Sequence, residues 1–151
     1  MRGDIVLFLA LVGVIGGAIV IGVVLLVDGG SSEPCGDALP PLSGGQADVS
    51  QEGFNEEDAG LTQVIQAAEA GNIPAVEAAF FGDIHNFTHN VDPAIREADE
   101  ELAKEICGVV IELEEELAFE RRTDVIARQA AQIREMLRDG AELLGYERPG
   151  G

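Results

Sequence analysis

The chain has 151 residues and a formal net charge of -19, with 28 acidic residues against 9 basic ones. With an apolar N-terminal run and a polar linker set aside, roughly 95 residues remain, enough for one modest hydrophobic core. The charge repels nucleic acid and anionic lipid headgroups, which excludes nucleic-acid binding, and it attracts cations and basic partners.

Residues 1–4 include Arg2 and Asp4 and precede an uncharged run from Ile5 to Val27. At ~1.5 Å per residue that run makes a helix of about 34 Å, against a bilayer core of ~30 Å. It is longer than the apolar part of a cleaved signal peptide and carries no small-x-small cleavage site, so a retained signal anchor is expected. Arg2 and the N-terminal amine stand before the span, and Asp28, Glu33 and Asp37 follow it, with no basic residue until Arg96. The positive-inside rule then puts the N-terminus in the cytoplasm and the rest of the chain outside a cell membrane crossed once. Gly13 and Gly17 form a GxxxG spacing that permits close packing of membrane helices, although glycine is common in such helices in any case.

From Asp28 to about Asn55 the composition is acidic and rich in Gly, Ser and Pro, with Gly29-Gly30-Ser31-Ser32 and Pro40-Pro41. This reads as a flexible linker over residues 28–55. Cys35 lies within it and Cys107 far beyond it. In an oxidising compartment the two can pair as one disulfide; otherwise they are two unrelated thiols.

Residues 56–145 read as a helical domain. Helix one is expected from Glu56 to Ala70, stopped by Gly71. Asn72 and Pro74 then open helix two. Val76, Phe80, Ile84, Phe87 and Val91 follow at helical spacing until Asp92-Pro93 breaks the pattern. Asp99 caps helix three, whose apolar face runs from Leu102 through Ile106 and Val110 to Leu117. Thr123 or Asp124 begins helix four, and Gly145 ends it before a polar tail over 146–151. No segment alternates with period two. The expected fold is therefore all-α, with one transmembrane helix followed by an antiparallel four-helix bundle.

The most specific local feature is the pair His85 and His89, the only two histidines in the chain. Four apart, they share one helical face, and Asp92 continues the line. Two neutral imidazoles and a carboxylate can bind a divalent transition metal such as zinc, copper or iron, with Glu112, Glu115 or Glu116 as further donors from a neighbouring helix. The glutamate that follows the first histidine in zinc hydrolases is replaced by Asn86, and no nucleophile–base pair is visible, so no enzyme is expected. The same histidines also fit a solvated face or the edge of a core. Asn86-Phe87-Thr88 matches the glycosylation acceptor pattern, a short motif that arises readily by chance. The run Glu112, Glu114, Glu115, Glu116 reads as a solvated helix face.

The stretch Phe-x4-His-x3-His-x-Val-Asp-Pro-Ala-Ile-Arg-x-Ala-Asp-x-Glu-Leu, from Phe80 onward, resembles helical extracytoplasmic domains found with bacterial iron permeases and imelysin-like proteins. The likeness covers about a quarter of the chain and includes none of the permease body, so transport is not implied. It implies a metal-handling accessory with His85 and His89 facing the metal. A second expectation, from the charge and the glycine-spaced anchor, is a non-enzymatic subunit of a larger membrane complex that docks a basic partner.

Overall fold

The computed structural model describes residues 34–40 and 49–150. Every described residue belongs to one compact unit, Ser31–Gly151. The anchor expected over Ile5–Val27, with Gly13 and Gly17, lies outside the described residues. Among those that are described, no helix is long and apolar enough to cross a membrane.

Regular structure among the described residues is entirely helical, which bears out the all-α class. The helices are α1 (Gln51–Glu69), α2 (Ile73–Ala79), α3 (His85–Ala98), α4 (Glu100–Glu115) and α5 (Thr123–Leu143). Two wide, π-type turns interrupt them, at Phe80–Ile84 between α2 and α3 and at Glu116–Glu120 after α4. Turns of this kind are rare and cluster at functional sites.

Local chemistry explains most boundaries. The Ser50 hydroxyl accepts from the Gly53 amide at 3.1 Å, so α1 starts at Gln51, earlier than the expected Glu56. That extra turn buries Phe54, whose ring meets Phe87 edge-on at 5.1 Å and Tyr146 at 5.3 Å. Gly71, at φ 69°, ends the α1 turn in a left-handed conformation that glycine adopts without strain. Asn72 Oδ1 then accepts from Ala75 N, and Asp99 Oδ1 accepts from the amides of Glu101 and Leu102, both at 3.0 Å. Both caps fall where the side chains announced them.

One boundary moves. Asp92-Pro93 does not break the chain; α3 runs through Pro93 to Ala98, and the kink sits at Gly82, with φ -78° and ψ -115°. Proline costs α3 one backbone hydrogen bond. Val91 and Ile95, both fully buried, hold the turns on either side of it against the core, and Arg96 clasps Asp92 one turn on.

The core is continuous, with Leu61, Val64, Phe87, Val110, Leu113 and Ile133 among its buried members. Helix α1 packs chiefly on α5, and α4 packs on both α3 and α5. Asp58 on α1 and Arg138 on α5 join in a two-armed ion pair, Nε to Oδ1 at 2.6 Å and Nη2 to Oδ2 at 3.1 Å. The C-terminal segment is not a free polar tail. Tyr146 donates to the Val49 carbonyl at 2.9 Å, Gln51 and Glu147 exchange two hydrogen bonds, and Pro149 is buried. Replacing Arg138 with methionine keeps the stem packing but leaves the Asp58 carboxylate, 12% exposed, without its partner. The expected loss is about 1–3 kcal/mol, read as a lower midpoint in urea denaturation.

Candidate metal site and its strap

His85, the first residue of α3 after the kink at Gly82, lies beside His89 one turn later. The two Nε2 atoms are 3.0 Å apart and the ring centroids 4.8 Å apart. Phe80 stacks on His85 at 6.0 Å, and Phe81 lies tilted against it at 5.9 Å. From α4, Glu114 Oε1 comes within 3.3 Å of His85 Nε2. The π-type turns lie on either side of this constellation in the chain, one just before His85 and the other just after α4.

Proton positions follow from the partners. His89 Nδ1 is 3.0 Å from the Pro40 carbonyl oxygen, which only accepts, so that nitrogen carries the proton. In the neutral ring Nε2 is then bare. The close Nε2–Nε2 contact therefore needs a proton on His85 Nε2, donated toward His89, with Glu114 as a second acceptor. Burial of the ring, and then the neighbouring His89, lower the His85 pKa from its usual value. Burial raises the Glu114 carboxyl, and His89 pulls it the other way.

Asp92 does not join the two histidines. Its carboxylate, 4% exposed, accepts from Arg96 Nε at 3.2 Å and Nη2 at 3.0 Å and from the Leu39 amide at 2.9 Å. Its stripe on α3 faces the segment 34–40, which lies against the helix as a strap. At the other end of the strap, Cys35 is disulfide-bonded to Cys107 on α4, with the Cα atoms 5.8 Å apart. Arg96 Nη1 donates to the Cys35 carbonyl at 3.4 Å. This part of the expected flexible linker is thus fastened by one covalent bond and by hydrogen bonds to Arg96, Asp92 and His89.

The acidic run on α4 also divides. Glu114 turns toward His85. Glu116, expected on a solvated face, is 4% exposed and accepts from the Arg122 amide at 2.7 Å and from its guanidinium Nε at 3.1 Å. The Arg122 pairing draws the Glu116 pKa down. Glu112 and Glu115 line a separate open cleft of about 490 Å³ with Phe119, Glu120 and Arg122. The glycosylation pattern sits inside α3, where Thr88 is buried and Asn86 donates to the Gly82 carbonyl.

Among the described residues, no group of three or more His, Cys, Asp or Glu side chains is already arranged as a cage for a metal ion. Two imidazole nitrogens face each other, and one carboxylate contacts the first of them.

No family model, no curated protein and no solved structure matches this chain. The functional reading therefore rests on the residues themselves. The spacing placed Asp92 in line with the two histidines; in the structure Asp92 meets Arg96 and the strap, and Glu114 is the carboxylate that contacts His85. Glu114 stood in the acidic run of the sequence, without a spacing signal to single it out. The role of the Pro40 carbonyl, a backbone atom far away in the chain, had no signal at all.

Proposed function

We propose that this chain is a membrane-anchored, extracytoplasmic helical module, an antiparallel four-helix bundle, that binds a divalent transition metal at His85 and His89. The observation that carries the reading is the facing pair of Nε2 atoms at 3.0 Å. Two nitrogens bound to one tetrahedral zinc at ~2.0–2.1 Å are separated by about 3.3 Å, so a small opening of the pair admits the ion. The proton now shared there marks the place a cation would take. The His89 Nδ1 bond to Pro40 is the outer hydrogen bond that orients metal-bound imidazoles and leaves Nε2 free. Glu114, 3.3 Å from His85 Nε2, is the nearest carboxylate and the third donor in this reading.

Calorimetric titration of the chain with zinc, copper(II) and iron(II) tests it. Wild type is expected to take up one ion, and a His85→Ala, His89→Ala variant none; equal uptake by both would sink the reading. Glu114→Gln is expected to weaken binding by about 10–100-fold. Acid should also weaken it, because the imidazoles must be neutral to bind. With its pKa lowered, His85 protonates only below the usual histidine range near ~6.5. The loss of affinity due to His85 should therefore fall at lower pH than for an exposed imidazole.

A second reading, a docking subunit for a basic partner in a membrane complex, draws on one observation. Phe119 is 79% exposed beside Glu112, Glu115 and Glu120 in the acidic cleft. An aromatic surrounded by carboxylates suits a basic segment with an apolar residue.

A further inference from the structure

The strap joins the disulfide to the histidine pair through a continuous series of contacts in the structure. Cys107 on α4 fixes Cys35. Arg96 grips both the Cys35 carbonyl and the Asp92 carboxylate. Asp92 holds the Leu39 amide, and the next residue, Pro40, presents its carbonyl to His89 Nδ1. On α3 the receiving side chains are His89, Asp92 and Arg96, spaced three and four apart, so they form one stripe. The strap itself contributes only half-buried Cys35 and Leu39, with exposed Pro34, Gly36, Asp37, Ala38 and Pro40. Its apolar burial is therefore slight, and a few partly exposed hydrogen bonds weakly offset the entropy of ordering these residues. The covalent link supplies the restraint that keeps the strap in place.

We propose that the Cys35–Cys107 disulfide is a redox latch on the histidine site: closed, it holds the Pro40 carbonyl on His89; opened by a dithiol, it releases the strap and weakens metal binding. An open cleft of about 350 Å³, lined by Pro34, Cys35, Lys104, Gly108 and Ile111, leads to the bond. Cys35 is half-buried, whereas Cys107 is 1% exposed, so the reachable sulfur is that of Cys35. A dithiol thiolate attacks Cys35 Sγ, the Cys35–Cys107 bond breaks, and Cys107 leaves as a thiolate that takes up a proton. The second thiol of the reductant then attacks the mixed disulfide and releases Cys35, which is protonated in turn. Two electrons and two protons pass from the dithiol, which ends as a disulfide, to the two cysteines. With the strap free, His89 Nδ1 loses its carbonyl acceptor, and the tautomer that leaves Nε2 bare is no longer enforced.

The metal reading enters only through the change in affinity; the coupling of disulfide to imidazole stands on the contacts alone. The test separates the two. In the full chain with ¹⁵N-labelled histidine, metal-free, the oxidised protein is expected to show His89 protonated at Nδ1. After dithiothreitol the ring should shift toward the tautomer mixture of an exposed imidazole. A His89 that keeps its Nδ1 proton in the reduced protein overturns the proposal. Zinc affinity is then compared between oxidised wild type and a Cys35→Ser, Cys107→Ser variant, which avoids zinc capture by freed thiols. A drop of about 10–100-fold is expected in the variant, and equal affinities refute the latch. A tautomer shift together with no zinc binding by either protein would uphold the coupling and reject the metal reading instead. Should the serine variant fold poorly, the nitrogen spectrum of reduced wild type decides the matter without it.

Discussion

Replacing Phe54 with alanine is expected to cost about 3–5 kcal/mol, a large part of the roughly 5–15 kcal/mol that a domain of this size has in total. Phe54 is 1% exposed and stands where three parts of the fold meet. Its ring takes the edge of Phe87 from α3 at 5.1 Å and lies against Tyr146 of the C-terminal segment at 5.3 Å. Truncation therefore removes buried area, leaves a cavity between well-packed rings, and forfeits two aromatic contacts. It also loosens the first turn of α1, which the sequence pattern had assigned to the linker. Urea denaturation followed by helical circular dichroism measures the effect. A change below about 1 kcal/mol would mean that the region 50–55 is not packed as described.

The second large effect is expected from opening the disulfide. Cys35 and Cys107 are 72 residues apart in sequence, and a cross-link closing a loop of that size removes about 4 kcal/mol of denatured-chain entropy in the loop-closure treatment. Cys107→Ser should therefore lower the urea midpoint substantially. The denatured chain, no longer looped, should expose more surface and steepen the transition. Cys35→Ser is a useful companion, because it opens the same loop without placing a hydroxyl at the position of Cys107, 1% exposed in the core. The two variants are expected to share the loop term, with Cys107→Ser the less stable of the pair by about 1–3 kcal/mol, the cost of a buried hydroxyl without a partner. Equal stability of reduced and oxidised wild type would show that the bond does not restrain the unfolded chain.

Much of the helical layout was legible in single residues. Gly71, Asn72, Asp99 and Gly145 act through their own backbone preferences or through a side chain reaching two or three residues onward, and such effects need no tertiary partner. The apolar stripes of α4 and α5 were likewise visible, because a residue repeating at helical spacing shares a face whatever packs against it. Pro93 was misleading for a related reason. Its local cost is real, but buried Val91 and Ile95 on either side outweigh one lost hydrogen bond, and that burial is a property of the assembled core.

The candidate site divides along the same line. That His85 and His89 share a face followed from their spacing of four, which is helix geometry and nothing more. Which carboxylate meets them was decided by the approach of α4 to α3. That approach brings Glu114 to His85 and leaves Asp92 to Arg96 and the strap. Glu116 went the same way: the pattern put it in water, and the turn into α5 buried it against Arg122. The residues 34–40 carry the composition of a free linker, and nothing local orders them. Their place is decided by a sulfur on another helix and by the side chains of Arg96, Asp92 and His89. Caps, stops and the histidine spacing were determined by the sequence itself because they act within one turn of helix. The carboxylate partners and the strap were decided by tertiary structure, because each depends on groups that only the packing of separate segments brings within hydrogen-bonding distance.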